Sequence, residues 1–124
     1  MRRTSKRLEK QNAAYAARLR AVLEELGCVA SDHIGYPYRI NTLAGLLLVD
    51  VHTNECQPGA AVFTRFEKPK KAVKLLGENW PHVPSAHGVN PYTGKWNHHF
   101  FDETIEEAEA VIRREFARAL GGRP

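Results

Sequence analysis

The sequence predicts an α+β domain, a mostly antiparallel sheet of about four strands packed by an N-terminal helix, a C-terminal helix and one short helix. Three observations carry that prediction. Apolar residues recur at helical spacing near both ends of the chain, the middle alternates apolar and polar residues with a period of two, and short glycine-containing connections in the middle signal hairpins. A length of 124 residues suits a single domain, 1–124, divided into a basic helix over 1–27, a sheet core with a short helix over 36–101, and a C-terminal helix over 102–121.

From Thr4 to Leu26 the residues favour helix, and Leu8, Asn12, Tyr15, Leu19, Val22 and Leu26 fall on one stripe. Gly27 is placed to end this helix, because glycine enters the left-handed region without a Cβ clash. Strands are expected over Tyr36 to Asn41 and Leu46 to His52, joined through Thr42-Leu43-Ala44-Gly45. The second sets Leu47, Val49 and Val51 against Leu46, Leu48, Asp50 and His52. After a loop containing Pro58 and Gly59, Ala60 to Glu67 forms a third strand, with Val62, Thr64 and Phe66 opposed to Ala61, Phe63 and Arg65. Pro69 suits the first turn of a short helix through Leu76, with Val73 and Leu76 toward the sheet and Gly77 closing it. Residues 79–89 hold Pro81 and Pro84 and form a loop. The last helix begins near Asp102 or Thr104, where Thr104 and Glu107 suggest a capping box; Ile105, Ala108, Ile112, Phe116 and Ala119 form its apolar stripe before Gly121-Gly122.

Between loop and last helix, Asn90-Pro91-Tyr92-Thr93-Gly94 has the residue types of a hairpin turn: Asn90 bonds forward to the backbone, Pro91 presets φ, and Gly94 supplies a left-handed residue. The strand that follows divides its side chains. Trp96, His98 and Phe100 share one face, expected to be core, with His98 neutral and paired to a backbone group; Lys95, Asn97 and His99 share the other with Phe101.

The formal net charge is +4, and its distribution says more than its total. Residues 1–27 carry seven Lys and Arg against three Asp and Glu, and residues 68–101 carry five against one. Two basic blocks result, one of Arg2, Arg3, Lys6, Arg7 and Lys10, the other of Lys68, Lys70, Lys71 and Lys74. Solvated faces have this composition too, but such blocks also steer polyanions. Cys28 and Cys56 are isolated and match no disulfide scaffold, so both are expected reduced. The longest apolar run lies within Leu43 to Val51, too short to cross a bilayer, and the basic N-terminus leads into a polar helix, so a cytoplasmic protein without membrane contact is expected.

No nucleophile elbow, zinc-protease, phosphate-loop or zinc-deaminase pattern occurs, and no cofactor or metal is expected. His98 and His99 point to opposite faces, while His82 with His87, and His52 with Cys56, form no ligand series. Asp50 and His52 share a strand face but are a generic pair. The triplet Lys95, Asn97 and His99 has the donors to bind an anion such as phosphate, although a sheet face that merely meets water has the same composition. Tyr36, Tyr38, Phe63, Phe66, Tyr92 and Trp96 are the rings available for stacking on bases, with core the competing fate for most.

The stretch Asn90-Pro91-Tyr92-Thr93-Gly94-Lys95-Trp96-Asn97-His98-His99-Phe100, with the strand Ala61-Val62-Phe63-Thr64-Arg65-Phe66 and the hairpin from Tyr38 to Val51, resembles a group of short uncharacterised proteins of bacteriophages and other bacterial mobile elements. These share an N-P-x-S-G-K-W-N-x-H-F-like ending; Thr93 stands here in place of the serine. The resemblance covers residues 36–101 and supplies no catalytic residue. It implies a small accessory protein that binds nucleic acid machinery or inhibits a host defence complex. With the two basic blocks, the expected function is a non-enzymatic module, monomer or dimer, that engages nucleic acid or a nucleoprotein complex. The alternatives are a protein–protein inhibitor of a host protein, and a small phosphodiester-processing enzyme using His99 and Lys95.

Overall fold

A computed structural model describes residues 6–54, 56–84 and 86–121. It shows an α+β fold whose elements run α1 (Lys6–Glu25), β1 (Val29–Ala30), β2 (Tyr38–Thr42), β3 (Gly45–His52), β4 (Ala60–Phe66), α2 (Pro69–Leu76), β5 (Lys95–Phe100), a 3₁₀ turn (Asp102–Thr104) and α3 (Ile105–Ala119). The strands form one antiparallel meander in the order β1-β2-β3-β4-β5. The two-residue β1 adds a strand to the four expected, held by Val29 opposite Arg39 and Ala30 opposite Tyr38.

Register decides what each face carries. One face aligns Ile40, Leu47 and Phe66, then Tyr38, Val49, Thr64 and Trp96, then Val51, Val62 and His98. Most of these side chains are buried and belong to one core with Leu19, Val22 and Leu23 of α1 and Ile105, Ala108, Ile112 and Phe116 of α3. The two long helices lie parallel on that face. Contacts between them advance together along both chains: Gln11 to Asp102 at 3.4 Å, Arg18 to Glu109 at 2.6 Å, and Glu25 to Arg113 at 2.7 Å. Phe66, Trp80 and Phe116 continue the core toward α2 through ring contacts of 5.0 and 6.0 Å.

Several local expectations are corrected. The β2–β3 turn is Leu43–Ala44 alone, since Thr42 pairs with Gly45; the Thr42 hydroxyl accepts from Ala44 N–H and donates to the Gly45 carbonyl. Thr104 makes no capping box, because its hydroxyl donates to the Phe101 carbonyl. In α2 the buried residues are Ala72 and Leu76, with Val73 half-buried. Among the described residues no strand lies between α2 and the Asn90–Gly94 turn, which leads directly into β5: Asn90 Oδ1 accepts from Tyr92 and Thr93 N–H, and Gly94 N–H donates to Asn90 O. Gly94, at φ 75°, lies so close to the Phe66 carbonyl that any Cβ would collide with it.

Gly27 does end α1. At φ 102° it allows Cys28 N–H to reach Leu23 O and its own N–H to reach Glu24 O, the paired bonds of a Schellman cap.

Candidate functional site

Strand alternation leaves the second sheet face without the apolar cover of the first, and the meander aligns its residues into rows. Arg39, Leu48, Arg65 and Lys95 form one row across β2, β3, β4 and β5. Asp50, Phe63 and Asn97 form the next, and His52, Ala61 and His99 the one after. Arg39, Arg65, Lys95, Asn97 and His52 are exposed, and Phe63, Ala61 and His99 half-buried. Only Leu48 and Asp50, on the central strand, are buried.

Three cations therefore share one line about 14 Å long, the width of three strand spacings. Among the described residues none of the three makes an ion pair. Glu67, two residues past Arg65, is exposed and makes no ion pair among the described residues, while Asp50, one row away on β3, contacts His52 through Oδ2 and accepts from Val51 N–H at 2.8 Å through Oδ1. Its charge is directed at its own strand rather than at the arginines.

At the far end of this face His52, Cys56, Phe63, Asn97 and His99 line a depression of about 500 Å³. The loop that closes it is fastened from behind. Buried Asn12 of α1 donates to Asn54 O at 3.2 Å and Gln57 O at 2.9 Å, and accepts from Gly59 N–H at 2.8 Å. Gly59 must lack a side chain, because a Cβ there would strike the Phe100 carbonyl. A larger groove of about 1000 Å³ follows the free edge of β5 and is lined by His82, His87, Trp96 and His98.

The expected triplet Lys95, Asn97 and His99 does lie together on the open face, and Lys68, just before α2, is exposed together with Lys70, Lys71 and Lys74 on it. Their helix starts just after β4, so this block adjoins the Arg65 end of the face. Lys6, Arg7 and Lys10 are exposed at the start of α1, whose Asn12 is bound to the β3–β4 loop at the opposite end of β4. Seven residues of strand, about 20 Å, separate the two ends, so the basic blocks are not one surface. Arg2 and Arg3 lie outside the described residues.

His98 differs from expectation. It is half-buried between Trp96 and Phe100, with ring centroids at 6.2 and 4.7 Å, and makes no hydrogen bond among the described residues. Burial, then the nearby His99, lowers its pKa. Of the rings considered for stacking, Phe66 and Trp96 are core while Phe63 lies on the open face.

The residues missed from sequence are Arg39 and Arg65, while Asp50 and His52 are visible there as a pair but only a generic one. Alternation already puts Arg65 beside Phe63 and His52 beside Asp50 on their strands; the missing step was to align the strands as a meander. Among the described residues no group of three His, Cys, Asp or Glu side chains is arranged to hold a metal ion, and no helix is long and apolar enough to cross a membrane. Comparison with protein-family models, curated proteins and solved structures finds no match to this chain.

Proposed function

We propose that the protein binds single-stranded nucleic acid across the open face of its sheet. The observation that carries this reading is the row of Arg39, Arg65 and Lys95, three exposed cations in register with no acidic partner among the described residues. A phosphodiester backbone lying along that row meets two planar guanidinium forks and one point charge. Phe63 and the imidazoles of His52 and His99 provide ring surfaces one and two rows away, at the distance of bases from their backbone. The α2 lysines extend the positive field at the Arg65 end and add attraction at longer range.

The test is fluorescence anisotropy of a labelled single-stranded oligonucleotide across a salt series. Replacing Arg39, Arg65 and Lys95 together by Gln is expected to weaken binding by about tenfold or more and to reduce the slope of log K against log salt by about 2. The same three substitutions leaving both affinity and slope unchanged would remove the reading. Capture of a protein partner that persists after nuclease treatment, with no oligonucleotide bound at low salt, would favour the protein–protein alternative.

A further inference from the structure

We infer that the His52–His99 pair is an acid–base centre that cleaves RNA by transfer to its own 2′-hydroxyl, an inference that rests on the polynucleotide reading above. The two histidines occupy the same cross-strand row on β3 and β5, on either side of Ala61, and line the same 500 Å³ depression. Two strand spacings, roughly 10 Å, separate their backbones, and the residue between them is too small to fill the gap. In the proposed complex a phosphate lies over Ala61, between the two imidazoles.

Each ring is held from behind. His52 Nε2 contacts Oδ2 of Asp50, a residue only 6% exposed, and its ring meets Phe63 edge-on at 5.0 Å. His99 Nε2 lies 2.9 Å from Pro58 O, and its ring meets Phe101 edge-on at 4.6 Å. Both partners are acceptors, so Nε2 carries the proton in each ring and Nδ1 is left as the atom that gains or loses one. An imidazole whose far nitrogen is bound to a carboxylate is the arrangement of a general base. His52 therefore takes the base role, and His99, against a neutral carbonyl, takes the acid role.

The 2′-hydroxyl oxygen of a bound ribonucleotide attacks the adjacent phosphorus, and its proton passes to Nδ1 of neutral His52. The O2′–P bond forms as the P–O5′ bond breaks. Protonated His99 gives its Nδ1 proton to the departing 5′-oxygen. The products are a 2′,3′-cyclic phosphate and a free 5′-hydroxyl, and the two imidazoles have exchanged protonation states. Asn97, which lines the depression between the histidines and the cation row, offers its amide N–H to a non-bridging oxygen of the pentacoordinate phosphorus.

The experiment incubates the full chain with a fluorescent single-stranded RNA in the presence of a chelator, beside DNA of the same sequence. Binding is measured separately on a 2′-O-methyl RNA, which lacks the attacking hydroxyl. Expected are cleavage of RNA only, a cyclic phosphate end, and a loss of about 100-fold or more in rate in both His52→Ala and His99→Ala. Thermal unfolding of each variant checks its fold, and His99→Gln, which can still donate to Pro58 O, replaces His99→Ala if that variant does not fold. Wild-type protein that binds 2′-O-methyl RNA but leaves RNA intact overturns the acid–base assignment alone. So does cleavage that proceeds equally in both histidine variants or equally on DNA. Failure to bind 2′-O-methyl RNA at low salt overturns the binding reading and this inference with it.

Discussion

At the scale of single residues, Glu115 is the sharpest departure from what charge alone suggests. Its side chain is 2% exposed, yet it accepts from Arg118 Nη1 at 2.6 Å, His82 N–H at 2.7 Å and Arg114 Nε at 3.0 Å. The same residue's carbonyl accepts from Trp80 Nε1 at 2.8 Å, while Arg114 and Arg118 reach His82 O and Leu76 O. One acidic residue thus ties α3 to the loop that leads into β5. Glu115→Ala would leave the His82 amide without its acceptor and two guanidiniums without their anion. A loss of about 3 kcal/mol is expected in urea unfolding, since breaking a buried charge pair costs more than the pair contributes. A loss below about 1 kcal/mol would mean that the loop is held by other contacts. Position 115 lies three residues after Ile112 and four before Ala119, on the apolar stripe, so its burial was in reach of the sequence. Its backbone donor was not: Arg114 and Arg118 are neighbours on α3, but His82 N–H comes from a loop 33 residues away that has no periodicity to predict its path.

At the scale of elements, what could be read locally was read well. The helices follow from spacing and from Gly27, Pro69 and Gly77, and the strands β2 to β5 from alternation. What escaped depends on partners distant in sequence: β1 has two residues and exists only by pairing with β2, and the cation row exists only once four strands are in register. Asn12 shows both sides. Its place on the α1 stripe was visible, but a polar residue there has no purpose until the β3–β4 loop is brought to it. The three bonds it makes fasten α1 to the segment that closes the His52–His99 depression. Asn12→Ala is expected to cost about 2 kcal/mol by leaving the buried Gly59 N–H without a partner. Calorimetry measures that loss. In addition, amide exchange over residues 54–59 should rise more than in the sheet, because the clamp acts on the loop before it acts on the core. Equal protection in variant and wild type would show that the Gly59 backbone is held without Asn12.

At the scale of the whole molecule, the core and the open face make opposite chemical demands, and the two cysteines report on each. Cys28 is buried among the core residues where α1 turns into β1, and burial pushes its thiol pKa up to about 11. Cys56 is exposed beside His52 in the depression on the other face. The thiolate is the reactive form, so near neutral pH Cys28 is both shielded and protonated while Cys56 is open to reagent. An aromatic disulfide reagent is expected to modify one thiol promptly in native buffer, with Cys56→Ser abolishing that phase. The second thiol should react only as the α1–β1 junction opens, at a rate that climbs with added urea. Since Leu19, Val22 and Leu23 join that junction to the sheet and α3 in one core, its opening is expected to approach the global unfolding free energy. Rapid modification of Cys28 in native Cys56→Ser protein would show instead that the junction opens on its own, and that α1 is not bound into the core along its full length. If the slow phase tracks global unfolding, Glu115→Ala should accelerate it and a neutral substitution on the open face, such as Lys95→Gln, should not. That contrast separates the residues that hold the fold from those that the open face exposes for binding.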